Sequence, residues 1–124
     1  MKFTATVATD EPDLDGDRFE NLERLARGSE GKLLLGTFGG VQVGVIDRAH
    51  VEGEHVAISG HLEGDVGAII LAMSPMYVVP GGILHKSHRE GDVTVFDDFE
   101  IREFSLTTTP ADSRLEPIRF VKEE

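Results

Sequence analysis

The first apolar pattern in the chain is the alternation from Phe3 to Thr9, which is rich in β-branched residues and predicts a half-buried strand. It runs into Asp10-Glu11-Pro12-Asp13-Leu14-Asp15-Gly16-Asp17, an acidic, turn-rich loop. Asn21 to Ala26 suits a short helix, with Leu22, Leu25 and Ala26 at helical spacing and Gly28 behind them as a stop. Leu33-Leu34-Leu35 begins a second strand, and Gly39-Gly40 predicts a hairpin turn into the alternating Val41 to Ile46. Glu54 to His61 predicts another strand with Val56 and Ile58 inward. Val66 to Met73 is almost wholly apolar, so periodicity leaves a buried strand and a short buried helix both open, and Pro75 marks a break in either case. Strand character resumes at Met76 to Val79, before a predicted turn at Pro80-Gly81-Gly82. Val93 to Phe96, Asp98 to Thr108 and Ile118 to Val121 complete the predicted strands. Many short strands, Gly-rich turns and one or two helices predict a compact barrel or sandwich.

The 124 residues form one domain on length grounds, residues 1–124, without an internal repeat or linker. Twelve Lys and Arg stand against 23 Asp and Glu, a formal net charge of −11. Such a surface repels phosphate backbones and anionic lipid, so no nucleic-acid and no membrane partner is expected. No run approaches the roughly 18 apolar residues of a membrane helix, and the first residues lack a signal-peptide pattern, so synthesis in the cytoplasm is expected. With no cysteine, a disulfide framework, thiol nucleophile or cysteine-zinc site is excluded.

Candidate chemistry is sparse. Asp10, Asp13, Asp15 and Asp17 invite a calcium reading, but an EF-hand loop starting at Asp13 needs Gly sixth and Glu twelfth, where Arg18 and Arg24 stand. A solvated acidic turn is the expectation. Five histidines occur, His50, His55, His61, His85 and His88. His85 and His88 have i,i+3 spacing, yet their neighbours look like a loop or hairpin tip and no third ligand has motif spacing, so no metal is expected. Ser74, at the end of an apolar run, is a nucleophile only with a histidine in reach; Ser-Pro at an element end is more commonly a cap or turn. Glu103 lies in a strand-like segment and either faces solvent or orients a site. Gly36 to Gly44 and Gly64 to Gly67 lack the features of a phosphate loop, so no cofactor is expected.

Taken in order, several of these segments resemble the prohead (capsid maturation) proteases of tailed bacteriophages. Phe3-Thr4-Ala5-Thr6-Val7-Ala8 followed by Asp15-Gly16-Asp17-Arg18-Phe19-Glu20 is similar to that family's opening strand and Asp-x-x-Gly-Asp loop. Leu33-Leu34-Leu35 and Val43-Gly44-Val45-Ile46 resemble its Leu-x-x-His-Asp…Pro-Val-Gly-x-Val hairpin. Leu71 to Tyr77 sits where the family has its Leu-Ser-x-Gly-Phe nucleophile strand, and Glu103-Phe104-Ser105-Leu106-Thr107-Thr108-Thr109-Pro110-Ala111-Asp112 resembles Glu-Val-Ser-Leu-Val-Thr-x-Pro-Ala-Asn. The last motif is the most specific. The resemblance implies an α+β, mainly β fold: a small antiparallel barrel like the prohead and herpesvirus-type serine proteases, with one or two short helices.

Departures from the family decide the expected function. Gly36-Thr37-Phe38 occupies the place of the general-base histidine. Ser74 matches the nucleophile, but Met76 replaces the following Gly and Pro75 removes a backbone N–H beside the serine, where an oxyanion hole would draw its donors. Without a base a serine hydroxyl stays protonated, and such losses cost several powers of ten in rate. The expectation is a degenerate, non-catalytic member, with Ser74 and Glu103 vestigial: a minor capsid or decoration (cement) protein of a phage head. Its partners would be the major capsid protein and further copies of itself in a dimer or trimer, and its location the virion. The alternative is an active maturation serine protease that cleaves the scaffolding segment of the capsid protein, with one of the five histidines as a relocated base and Glu103 as its orienter. A third reading is an unrelated small β-barrel binding module.

Overall fold

A computed structural model describes residues 1–36, 40–73 and 75–121. Strand β1 (Lys2–Thr9) follows from the opening alternation: Phe3, Ala5 and Val7 are buried, and a bulge at Val7 turns Thr6 and Ala8 inward as well. The acidic loop contains a short strand not expected from its composition, β2 (Asp17–Phe19). Helix α1 (Leu22–Ser29) begins at Asn21, whose side chain accepts from the Arg24 N–H at 3.0 Å. Glu23 in the first turn and Arg27 in the last complement the helix dipole. Gly28 does not stop the helix. The turn after it does, where Gly31 (φ +80°) donates to the Ile46 carbonyl at 2.8 Å.

β3 (Leu33–Leu35) pairs antiparallel with β4 (Gln42–Glu52), and β4 with β5 (His55–Leu62), whose strict alternation buries Val56, Ile58, Gly60 and Leu62. Both β4–β5 and β5–β1 pairings converge on Gly60. A Cβ there would sit 2.3 Å from the Val45 carbonyl oxygen and 2.9 Å from the Phe3 ring, so only glycine lets the fully buried Phe3 lie across β5.

The ambiguous apolar run is a helix, α2 (Val66–Ala72). It buries Gly67 and Ile70 but leaves Ile69 59% and Leu71 54% exposed, unlike an ordinary surface helix with a polar outer side. The turn expected at Pro80-Gly81-Gly82 is instead strand interior: β6 (Tyr77–Glu90) passes through it and forms a long hairpin with β7 (Val93–Thr107), merging two expected strands into one. Pro80 is tolerated because β6 pairs with β7 alone, leaving its other edge free of ladder bonds among the described residues. The loop expected around His85 and His88 is likewise strand. Registry in this hairpin skips Arg102, His85 and Asp97, three bulges that bend it.

With β6 along one edge of β7, the other edge is shared by β2 (Asp17↔Thr94) and β3 (Leu34↔Phe104), both parallel to it. They are parallel because α1 carries the chain back, so both strands enter in the same direction. β8 (Arg119–Val121) pairs with β1 at the far end. The fold is therefore α+β and mainly β, as expected, but the sheet is mixed and does not close into the antiparallel barrel predicted. The ends of the sheet approach at one point, where Ile118 donates to the Met76 carbonyl at 2.7 Å. Phe3, Leu34, Ile46, Val56, Val78 and Phe104 are fully buried in one core, which Leu25 and Ala26 of α1 join from across β4, β5 and β7.

Candidate functional site

Pairing brings two of the sequence-derived positions to one end of β7. Leu35 lies opposite Ser105, and Tyr77 opposite Thr107, so Gly36 and the start of β6 flank the same stretch of strand. Gly36 offers no proton acceptor there. Ser74, Thr37 and Phe38 lie outside the described residues. Glu103 sits four residues back along β7 from Thr107, about 13 Å at a strand's rise. The bulge at Arg102 directs Ile101 and Phe104 both inward, which turns Glu103 to the other face, its carboxylate over Gly81.

All five histidines face carboxylates. His61 Nδ1 meets Asp47 at 3.0 Å, His85 Nε2 meets Glu100 at 2.8 Å, and His50 and His55 each reach Glu52 within 3.8 Å. His88 is held on both nitrogens, by Asp97 at 2.8 Å and Glu90 at 2.7 Å. With an acceptor on each side, the arrangement favours the imidazolium form, in which both ring nitrogens donate. Its pKa lies above the ordinary histidine value, through the hydrogen bonds to Asp97 first and Glu90 second. His85 lies eight residues beyond Tyr77 on β6, roughly 25 Å along the strand. Glu20, His88 and Asp97 have ligand atoms within 4.8 Å of one another, but the ring is already committed to its two carboxylates.

A crevice of about 330 Å³ opens elsewhere, in the seam where the sheet fails to close. Val7, Ala8 and Thr9 of β1 form one wall, and Val79 and Pro80 of β6 another. Three phenylalanines line it and pack on one another: Phe19 stands edge-on to Phe96 and Phe99 at 5.6 and 5.3 Å, and the latter two lie nearly parallel at 6.0 Å. Leu115 completes the apolar lining.

The mouth is acidic: Glu11, Asp13, Asp17 and Asp112 all border it. Thr9 Oγ1 donates to Asp112 at 2.6 Å, and Arg114 Nε donates to the same carboxylate at 2.9 Å. The Arg114 guanidinium also binds the Glu11 carboxylate and donates to the Glu11 and Pro12 carbonyls, each at 2.8 Å. With Leu14 N–H on the Ala111 carbonyl at 2.9 Å, these contacts tie the acidic loop to residues 109–115. Burial opposes ionisation of Asp112, but the Arg114 and Thr9 hydrogen bonds outweigh it and hold its pKa below the ordinary value.

Asp17 is in the opposite state. Its carboxylate has no hydrogen-bond or ion-pair partner among the described residues, while Asp13 and Asp15 offer oxygens within 4.8 Å of it. Burial first, then repulsion from those two neighbours, raises its pKa. Arg18, the nearest cation in sequence, sends its guanidinium away to Glu20 and Glu90.

The crevice draws on segments far apart in sequence, among them Asp17 to Phe19 and Thr107 to Asp112, which the sequence singles out for a family resemblance and not as the walls of a cavity. The one signal of its phenylalanines is compositional: seven Phe against one Tyr and no Trp, several beside acidic residues. Compared with models of known protein families, with curated proteins and with solved structures, the chain finds no match.

Proposed function

We propose that this chain is a non-catalytic minor capsid or decoration protein of a tailed-phage head, binding the major capsid protein on a prohead-protease-like scaffold. The observation that carries the reading is the segment after β3, where Gly36-Thr37-Phe38 stands at the place the resemblance gives to a general-base histidine and supplies no imidazole. His88 supports it in part, since both of its ring nitrogens are engaged by carboxylates, which leaves neither free to take a proton from a hydroxyl. Binding surfaces are present instead. The crevice in the sheet seam suits a partner's side chains, and the exposed apolar side of α2 suits association of copies about a symmetry axis on a repeating lattice. Among the described residues no helix is long and apolar enough to cross a membrane.

The test is to incubate the purified chain, and its Ser74→Ala variant, with capsid precursor and with mature shells. Co-sedimentation with shells and equal absence of cleavage by both proteins is the expected result. Serine-dependent cleavage would replace this reading with that of an active maturation protease, and absence of both binding and cleavage would remove the capsid assignment.

A further inference from the structure

We infer that the seam crevice is a receptor for an arginine side chain flanked by an apolar residue, presented by a segment of a partner protein. The biological partner rests on the capsid-binding reading above; the chemistry of the crevice does not.

Three observations converge. The interior is apolar and aromatic, and its volume of about 330 Å³ falls at the lower end of sites that enclose a ligand group. The mouth carries four carboxylates, of which Glu11 and Asp112 are answered by Arg114. Asp17, by contrast, borders the cavity with no hydrogen-bond or ion-pair partner among the described residues and with Asp13 and Asp15 beside it, while Arg18, which also lines the cavity, has its guanidinium on Glu20 and Glu90. An unanswered, partly desolvated carboxylate next to apolar surface is costly, and a cation entering the cavity relieves that cost. Charge complementarity therefore selects a cationic occupant, and the phenylalanine faces select which one. A guanidinium is planar, stacks on aromatic rings and offers paired N–H donors to a carboxylate, whereas an ammonium is a strongly hydrated point charge. The aliphatic stem of arginine and an adjacent apolar side chain fit the lining formed by Val7, Val79 and Leu115.

The probe is phenethylguanidinium, titrated into ¹⁵N-labelled protein and followed by backbone amide shifts, with neutral phenethylurea and calcium chloride as comparisons. Saturable shifts at Ala8, Thr9, Phe19 and Thr107 to Asp112 are expected for the guanidinium, with at least fivefold weaker binding of the urea. Asp17→Asn should weaken the guanidinium at least fivefold and leave the urea unchanged. Thr109→Trp, at an exposed position on the mouth, should block both probes. It guards against misreading a folding defect in Asp17→Asn. Equal affinity for urea and guanidinium, shifts scattered over the acidic surface, or a response to calcium alone confined to Asp13–Asp17 would each overturn the inference. Failure here with intact binding to mature shells removes the crevice assignment alone. Occupancy of the crevice without shell binding removes the capsid reading alone.

Discussion

Thr9 and Asp112 are joined by a 2.6 Å hydrogen bond that spans 103 residues of chain and fastens the end of β1 to the loop after β7. Arg114 grips the same carboxylate from the other side. The mouth of the crevice is thus held by one acid with three donors, Thr9 Oγ1, Arg114 Nε and the Arg114 N–H, beside the backbone bond from Leu14 to Ala111.

Removing that acid should loosen the mouth. Asp112→Ala is expected to cost about 1–3 kcal/mol, because Thr9 and Arg114 lose a charged acceptor together. The effect depends on pH with a definite sign. The folded-state pKa of Asp112 lies below its unfolded value, so its contribution is complete above the unfolded value and is lost as pH falls through the folded one. Denaturant unfolding of the wild type and the variant should differ at pH 7 and converge as pH drops below about 3.9, the ordinary aspartate value. A gap that persists unchanged in acid would contradict this assignment.

His88 gives the opposite sign. Its folded pKa is raised, so the ion pairs with Asp97 and Glu90 are complete below the unfolded value of about 6.5 and disappear as pH rises through the folded value. Proton NMR of the imidazole should show a midpoint above 6.5. Asp97→Asn should shift it downward by more than Glu90→Gln, matching the order of the two hydrogen bonds. Because the ring lies at the surface and the β6–β7 ladder continues on both sides of it, losing these ion pairs should leave the hairpin paired and change the stability of the domain little.

Gly60→Ala is expected to destabilise the protein by about 1–3 kcal/mol or more, since the added methyl meets a carbonyl and the Phe3 ring with no free volume to receive it. Thermal unfolding gives the size. Pairing it with Phe3→Leu should recover part of the loss on the ring side but not the clash with the Val45 carbonyl.

Helix α2 separates stability from association. Ile70, buried, should cost about 2–4 kcal/mol on truncation to alanine. Ile69→Lys and Leu71→Lys, at exposed positions, should change stability by no more than about 0.5 kcal/mol while lowering the apparent mass in sedimentation. Unaltered sedimentation in both lysine variants would show that this surface does not join copies.

Local signals led to much of the fold. Alternation gave β1 and β5, and the spacing of Leu22, Leu25 and Ala26 located α1. Where reading and structure diverge, a distant partner decides the local outcome. Pro80-Gly81-Gly82 carries strong turn chemistry, yet β7 alongside it imposes strand and absorbs the misfit as a bulge at Arg102. Gly28 reads as a helix stop, but Ser29 beyond it is fully buried and donates to the Leu25 carbonyl at 2.7 Å, which carries α1 one residue further. β2 hides in an acidic run because three residues docked on β7 need little hydrophobicity of their own. The crevice was the least legible feature, since its walls meet only after the two ends of the sheet come together.

Strand β7 lies late in the chain and is the common neighbour of β2, β3 and β6, two of which precede it by some seventy residues. While the chain is being synthesised, β3, β4, β5 and β1 can already pair with one another, but β2 and the second edge of β3 wait for β7. Such long-range pairing is slow to nucleate. A truncated chain that stops before Thr107 should leave β2, β6 and the open edge of β3 unpaired and prone to proteolysis, so that completion of this one strand closes the core of the domain.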